Sequence, residues 1–336
     1  MYLVLFCVTA IVLSGFITVP KKNKKSINTV LDSTMYIKLG QLLFYDPSLS
    51  FNNTKSCGSC HNPNLYFTDG YKQAIGLYGD VMERNTPSVI NVANFKTLNW
   101  ANPNMVNIAT QMLTPLFNTT HAEMGMQQNN ATAYKILSNK QYSLIINNVA
   151  KNWQTIITAL ALYQKKLISR NSKYDYKLQN KVTFTTEELT GEKLFFSKKM
   201  GCNNCHAGQD FNTPINPENY FSNTGLNTST FYADSGMATI TKNPNHLGKF
   251  RIPSLRNVAQ TAPYYHNGSA QTLTEVIKNY AAGGKHNNPI FVKNKSKLVK
   301  GFAINNIQIQ QLISFLNTLT DTTIKTNPLF TNPYNY

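Results

Sequence analysis

Cys57-Gly58-Ser59-Cys60-His61 and Cys202-Asn203-Asn204-Cys205-His206 are two copies of one pattern, C-x-x-C-H. Two thiols three positions apart can bond covalently to the two vinyl groups of one haem. The imidazole that follows then falls beneath the iron as its axial ligand. A four-cysteine zinc site or a thiol–disulfide pair would use the same cysteine spacing. Neither needs a histidine directly after the second cysteine, and here it occurs both times. The residues therefore point to two covalently bound c-type haems, with His61 and His206 as proximal ligands. Haem attachment of this kind belongs outside the bacterial cytoplasm, so an exported, periplasmic chain is expected.

The elements that must position these motifs come from a chain of 336 residues, enough for one large domain or two ordinary ones. Hydrophobic residues make up 42%, which excludes intrinsic disorder, and no repeated long apolar runs suggest a polytopic membrane protein. Lys and Arg number 32 against 15 Asp and Glu, a formal charge of +17. The lysines are scattered and no nucleic-acid motif accompanies them, so a nucleic-acid partner is not expected. Haem propionates would lower the net charge. Only Cys7, of five cysteines, stands outside the paired motifs. It lies in an apolar run, Tyr2 to Val19, followed by Pro20 and a basic run to Lys25, so residues 1–25 read as an export signal or membrane anchor.

Helical periodicity is expected from Met35 to Tyr45 and from Val149 to Leu167, with a loop-rich stretch from Asp46 to Asn130 between them. The polar stretch Ser169 to Lys181 reads as a linker. Thr185 with Glu188 and Thr272 with Glu275 are capping boxes, the second opening a helix through Tyr280 that Gly283 and Gly284 end. Ile307 to Leu319 is a last amphipathic helix. No period-2 runs foretell a large sheet. The expected fold is mainly α, with two cytochrome c-like domains that each carry one covalently bound haem: residues 30–175 and 182–325. A dihaem chain of this kind is either an electron carrier, with both irons capped by two strong ligands, or an enzyme with one coordination position left open beside acid–base groups.

From Leu39 to Asp321 the chain resembles the bacterial dihaem cytochrome c peroxidases, including the MauG-like branch. The resemblance is carried by Leu39-Gly40 with Leu43 to Asp46, Cys57 to Pro63, Arg84 to Ser88, Glu123-Met124-Gly125, Gly201 to His206, Phe250 to Asn257 and Thr261 to Gly268. It implies that the first haem reacts with hydrogen peroxide and the second receives electrons from a small redox protein, a cytochrome c or a cupredoxin. It leaves a homodimer open. Gln111 and Glu123 match the distal Gln and Glu. The segment between Pro115 and Glu123 is two residues longer than in relatives. Leu77, after Gly76, stands where many members place a distal histidine, so the first haem should be five-coordinate. His121 is the other histidine nearby and reads as a loop residue. Trp100 matches a tryptophan between the haems, although Ala101-Asn102-Pro103 replaces the Asp-Gly-Arg that follows it in relatives. Asn85, Thr261 and Pro263 match the positions that hold a calcium ion, largely through carbonyl oxygens. Fourteen residues past His266 lies Tyr280, where peroxidases often place a Met and MauG-like enzymes a Tyr ligand of the second haem. His266 and His286 are weaker candidates for that position. The expected reaction is peroxide reduction to water, with MauG-like oxidation of a protein partner and a non-enzymatic electron carrier as rivals.

Overall fold

The computed structural model describes residues 29–146, 149–226, 234–284 and 294–334. The apolar run at residues 1–25, with Cys7, and His286 lie outside them. Among the described residues no helix is long and apolar enough to cross a membrane.

Six helices frame the two cores: α1 (Thr29–Tyr45), α2 (Trp153–Gln164), α3 (Lys173–Leu178), α4 (Thr186–Phe195), α5 (Leu273–Ala281) and α6 (Asn306–Asn317). The one sheet among the described residues is antiparallel and two residues deep, β1 (Phe221–Ser222) against β2 (Phe250–Arg251), with Phe221 opposite Arg251. The box expected at Thr185 closes, with Thr185 Oγ1 accepting from Glu188 N and Glu188 Oε2 from Thr185 N; at Thr272 only the cap to Glu275 N forms, because Glu275 Oε2 accepts from Gln271 N instead.

The halves repeat one plan. In the first, α1 packs against α2, and in the second α4 packs against α6. Each crossing needs a glycine. A Cβ on Gly40 would meet the carbonyl of Ala159, and one on Gly191 would meet that of Gln311. Four residues on, Phe44 and Phe195 bury their rings beside these contacts. Leu39, Leu43, Phe44, Ile156, Leu160 and Tyr163 belong to one core, and Phe195, Phe211, Ile309, Leu312 and Phe315 to another. Helix-against-helix burial of this kind supplies most of the stabilisation available to short helices.

The repeat extends to irregular backbone. Thr86-Pro87-Ser88-Val89-Ile90-Asn91-Val92-Ala93 and Ile252-Pro253-Ser254-Leu255-Arg256-Asn257-Val258-Ala259 occupy equivalent places. Asn91 and Asn257 both adopt the left-handed conformation, at φ 61° and 62°, and both are buried. Asn91 N donates to Leu167 O at 2.8 Å and its Oδ1 accepts from Ser169 N at 2.8 Å. Asn257 N donates to Leu319 O at 3.1 Å and its Oδ1 accepts from Asp321 N at 2.8 Å. Each asparagine thus ties a left-handed turn to the strand that leaves its half's last helix.

The segment expected to be a solvated linker is instead buried and partly helical. Ser169 and Ser172 are fully buried, and α3 covers much of the rest. Polar groups tolerate this because they find partners there. Asp321, fully buried, accepts from Ser169 Oγ and from the backbone N–H groups of Arg170, Asn171 and Thr323 at 3.0–3.1 Å. Arg170 pairs with Asp210 at 2.8 Å, and Arg256 with Asp175 at 2.7 Å. The last described residues turn back from the second half: Ile324 and Phe330 are buried in the first core, and Gln41 Nε2 donates to Pro328 O at 2.7 Å.

The glycine crossing yields a stability test. Gly191→Ala puts a methyl into the backbone of α6, 2.6 Å from the Gln311 carbonyl carbon. It should cost about 3 kcal/mol, high in the range for overpacking, because a helix backbone cannot step aside. Denaturant unfolding of the holoprotein measures it.

Candidate functional site

His61 and His206 are presented in the same way. His61 Nδ1 lies 3.0 Å from Phe67 O, and His206 Nδ1 lies 2.9 Å from Phe211 O. A carbonyl can only accept, so Nδ1 carries the proton and Nε2 keeps its lone pair for a metal. Burial holds both imidazoles below the usual histidine range, which keeps them neutral. Phe67 and Phe211 turn their carbonyls inward through left-handed backbone, at φ 62° and 52°. Non-glycine residues adopt that region at a cost of order 1–3 kcal/mol, offset here by burying both rings. A serine fixes each turn: Ser88 Oγ donates to Tyr66 O, and Ser254 Oγ to Asp210 O, both at 2.7 Å.

The cysteines sit beside their histidines in apolar surroundings. Burial pushes the Cys57 thiol up to about 12, Cys60 to about 11 and Cys202 to about 12, and raises Cys205. Thiol–disulfide exchange runs through the thiolate, which such a site disfavours. A thioether bond consumes the thiol and leaves no charge, so the chemistry of the donor set fits covalent haem.

Around the first pair, the loop carrying Glu123 is held by short backbone bonds. Leu77 N donates to Ala122 O at 2.7 Å, Phe51 N to Met124 O at 2.8 Å, and Met124 N to Pro115 O at 3.0 Å. These bonds bring Glu123 within electrostatic reach of Cys57 and Cys60. Burial raises the Glu123 carboxyl above the usual range, with Lys55 pulling the other way. The Lys55 ammonium donates to the Ile75 carbonyl. Leu77 is buried and packs against Gly125, at φ 62°. Gln111 ends a short helix, Ile108–Gln111, half-buried, and no hydrogen bond joins its amide to Glu123 among the described residues. His121 is exposed.

A cavity of about 390 Å³ opens on the second pair and reaches the junction of the halves. Cys202, Cys205, His206, Tyr280, Trp100 and Arg251 are among its lining. Burial raises the Tyr280 hydroxyl well above its ordinary range, with Tyr265 and the Cys205 and Cys202 thiols adding to it. Trp100 Nε1 donates to Asn85 O at 2.8 Å, and Arg251 N donates to Trp100 O at 2.8 Å, so the first half holds the indole and the second half holds its backbone. Asn85, Thr261 and Pro263 line the same cavity; the Asn85 amide donates to Tyr71 O at 2.8 Å, and Asn85 N to His266 O at 2.7 Å. His266 stacks on Phe250 at 3.5 Å, and burial pushes it down to about 4.

Sequence reasoning assigned Arg251 no role. The guanidinium lies 5.6 Å from the Trp100 ring, donates to the carbonyls of Asn99 and Ile252, and has no carboxylate partner among the described residues. Burial lowers it to about 10. A buried, unneutralised cation facing a cavity is what a haem propionate would complete. The signal lay in the repeat: Arg251 precedes Ile252-Pro253 where Asn85 precedes Thr86-Pro87.

With this geometry in hand, comparison places the chain. A family model described as di-haem cytochrome c peroxidase matches residues 34–183. A solved MauG-like protein associated with microbial copper homeostasis superposes with a TM-score of 0.84 at 35% identity, covering 90% of this chain and 93% of that one. Cytochrome-c peroxidase IdrP1 of Denitromonas iodatirespirans is 28% identical over 85% of this chain and 81% of its own length. The methylamine utilization protein MauG of Methylorubrum extorquens is 27% identical over 84% and 77%. The chain belongs to the di-haem cytochrome c peroxidase family, MauG included. It is accordingly a haem-dependent oxidoreductase.

With a haem bound at Cys202, Cys205 and His206, removing the Arg251 charge should make that haem easier to oxidise. Arg251→Gln is expected to lower its midpoint by roughly 60 mV, a tenfold change for one electron, without moving that of a haem at Cys57, Cys60 and His61. A spectroelectrochemical titration measures both.

Proposed function

We propose that the chain is a periplasmic peroxidase with two c-type haems, which reduces hydrogen peroxide to water using electrons from a small redox protein. The observation that carries this reading is the half-buried carboxyl of Glu123 beside the first thiol pair, with the apolar Leu77 packed at the turn that follows it. The two halves, near 30–175 and 182–325, would each hold one haem, on Cys57, Cys60 and His61 and on Cys202, Cys205 and His206.

The haems supply the electron chemistry; the chain's own residues manage protons, position and access. Glu123 takes a proton from one peroxide oxygen and returns it to the leaving oxygen, a task suited to a carboxyl raised toward neutrality by burial. Gln111 orients the peroxide. Leu77, which cannot ligate, leaves the first site open in the oxidised state. Trp100 bridges the halves as an electron relay, since Asn85 holds its indole while Arg251 bonds its backbone and sets a guanidinium 5.6 Å from its ring. Asn85 with the carbonyls of Thr261 and Pro263 holds a calcium ion by neutral oxygens, a weak set without a carboxylate. A cytochrome c or cupredoxin delivers the electrons.

MauG-like oxidation of a protein partner is the second reading, and Tyr280 favours it. Its hydroxyl faces the Cys202 and Cys205 side of the cavity. The cavity alone disfavours a phenolate. Tyr280 would hold the haem of this motif as an anionic oxygen ligand, which would favour that haem's higher oxidation states.

Glu123→Gln should retain both haems and lose about 10²-fold or more in peroxide turnover. As the base must be ionised, turnover falls as pH drops through the raised carboxyl value. Lys55→Met removes the cation that opposes that rise, so the acid limb should move to higher pH. Steady-state rates across pH measure both effects.

Tyr280→Phe should change the ferric spectrum of the second haem alone. Two unchanged spectra would remove Tyr280 as a ligand and take the best support from the MauG-like reading.

A further inference from the structure

Three tyrosines are buried on the α1 side of the first C-x-x-C-H motif: Tyr45, Tyr142 and Tyr163, at 4%, 0% and 0% exposure. Tyr45 lies directly on the haem-attachment loop, for a Cβ on Gly58 would come 2.7 Å from its ring. Tyr45 and Tyr163 both interact electrostatically with Cys57. Their surroundings differ in one respect that matters for oxidation. The Tyr45 hydroxyl donates to the Phe330 carbonyl, and the Tyr163 hydroxyl faces only that of Tyr45, another phenol. Neither meets a base able to take its proton. The Tyr142 hydroxyl donates to Asp46 Oδ2, the carboxylate next in the chain to Tyr45. It also lies 3.5 Å from the hydroxyl of Tyr334, a half-buried residue near the end of the chain, which reaches Leu42 O at 3.1 Å.

Removing an electron from a phenol makes it strongly acidic, so a buried tyrosine is oxidised easily only where its proton has somewhere to go. Burial and the Asp46 bond also keep Tyr142 from ionising beforehand, so electron and proton must leave together. Resting on the peroxidase reading, we propose that Tyr142 with Asp46 forms a proton-coupled relay that carries oxidising equivalents from the first haem site to Tyr334 at the surface.

The steps balance. One electron passes from the Tyr142 ring to the peroxide-oxidised haem site, which is reduced by one equivalent, while the phenolic proton crosses to Asp46. An electron from Tyr334 restores Tyr142 as the proton returns from Asp46, and Tyr334 sheds its own proton to water. A one-electron donor at the surface, with a proton from water, then restores Tyr334. Two passages supply the two electrons that turn one peroxide into two waters; the two protons reach the haem site from solvent, since the relay's own proton only cycles between Tyr142 and Asp46. Tyr45 lends its ring and its bond to Asp46 as the short covalent path between haem loop and carboxylate.

The test uses holoprotein mixed with peroxide in the absence of donor, freeze-quenched for electron paramagnetic resonance, with haem absorbance followed in parallel. The wild type should give a neutral tyrosyl signal. Tyr142→Phe and Asp46→Asn should each reduce it tenfold or more; asparagine keeps the turn that Asp46 caps at Ser48 N. Tyr334→Phe should keep the signal and lengthen its decay. Peptide mapping of the wild type should find oxidation at Tyr334, so a poorly folding Tyr142 variant does not remove the test. Haem bands that answer peroxide with no tyrosyl, or with one that survives Tyr142→Phe, overturn the relay alone. Bands that ignore peroxide overturn the peroxidase reading, and the relay with it for want of an oxidant.

Discussion

The arrangement of the molecule hangs on one buried polar knot, where Asp321 meets Ser169. Each residue is the anchor of its own half: Ser169 N binds Asn91 Oδ1, and Asp321 N binds Asn257 Oδ1. Ser169 Oγ then donates to Asp321 and accepts from Asn257 Nδ2. Four side chains thereby close both halves and fasten them to each other. A buried carboxylate is costly unless its lone pairs are filled, and Asp321 fills them with donors from both sides of the junction. Because the knot fixes how the halves face, Trp100 can hold Asn85 and Arg251 at once.

One plan used twice has been made to hold two different sites. The histidines, their left-handed phenylalanine carbonyls and their serine braces match position by position. What differs is what surrounds them. The first half offers a raised carboxyl and an apolar Leu77; the second offers a phenol, a buried guanidinium and a deep cavity. Matching support of the two histidines would leave the character of a haem at each motif to its other face and to local charge.

Much of this was legible in the sequence, because covalent haem attachment demands a fixed local spacing and helices a fixed period. The helix expected from Met35 begins earlier, at Thr29, and that expected from Val149 begins at Trp153, where Asn152 caps it. The segment from Ser169 misled for a physical reason. Its polarity signals solvent, yet Ser169, Ser172 and Asp175 are polar because their partners Asp321, Arg256 and Asn257 come from distant parts of the chain. Arg251 escaped notice for a like reason: the repeat marks its position, but its burial is set by Asn99 and Trp100 from the other half. The Tyr142 and Asp46 pair is separated by 95 intervening residues, beyond any local pattern.

The return of the chain's last stretch to the first core bears on how the protein is made. Ile324 and Phe330 complete a core whose other members lie between Leu39 and Leu167. Synthesis runs from the amino end, so the first half leaves the ribosome lacking part of its own interior, which only the tail completes. The second half keeps its buried core residues between Phe184 and Leu319, with Tyr174 of α3 packed against them from just before its span, so α6 brings in nearly all of its interior.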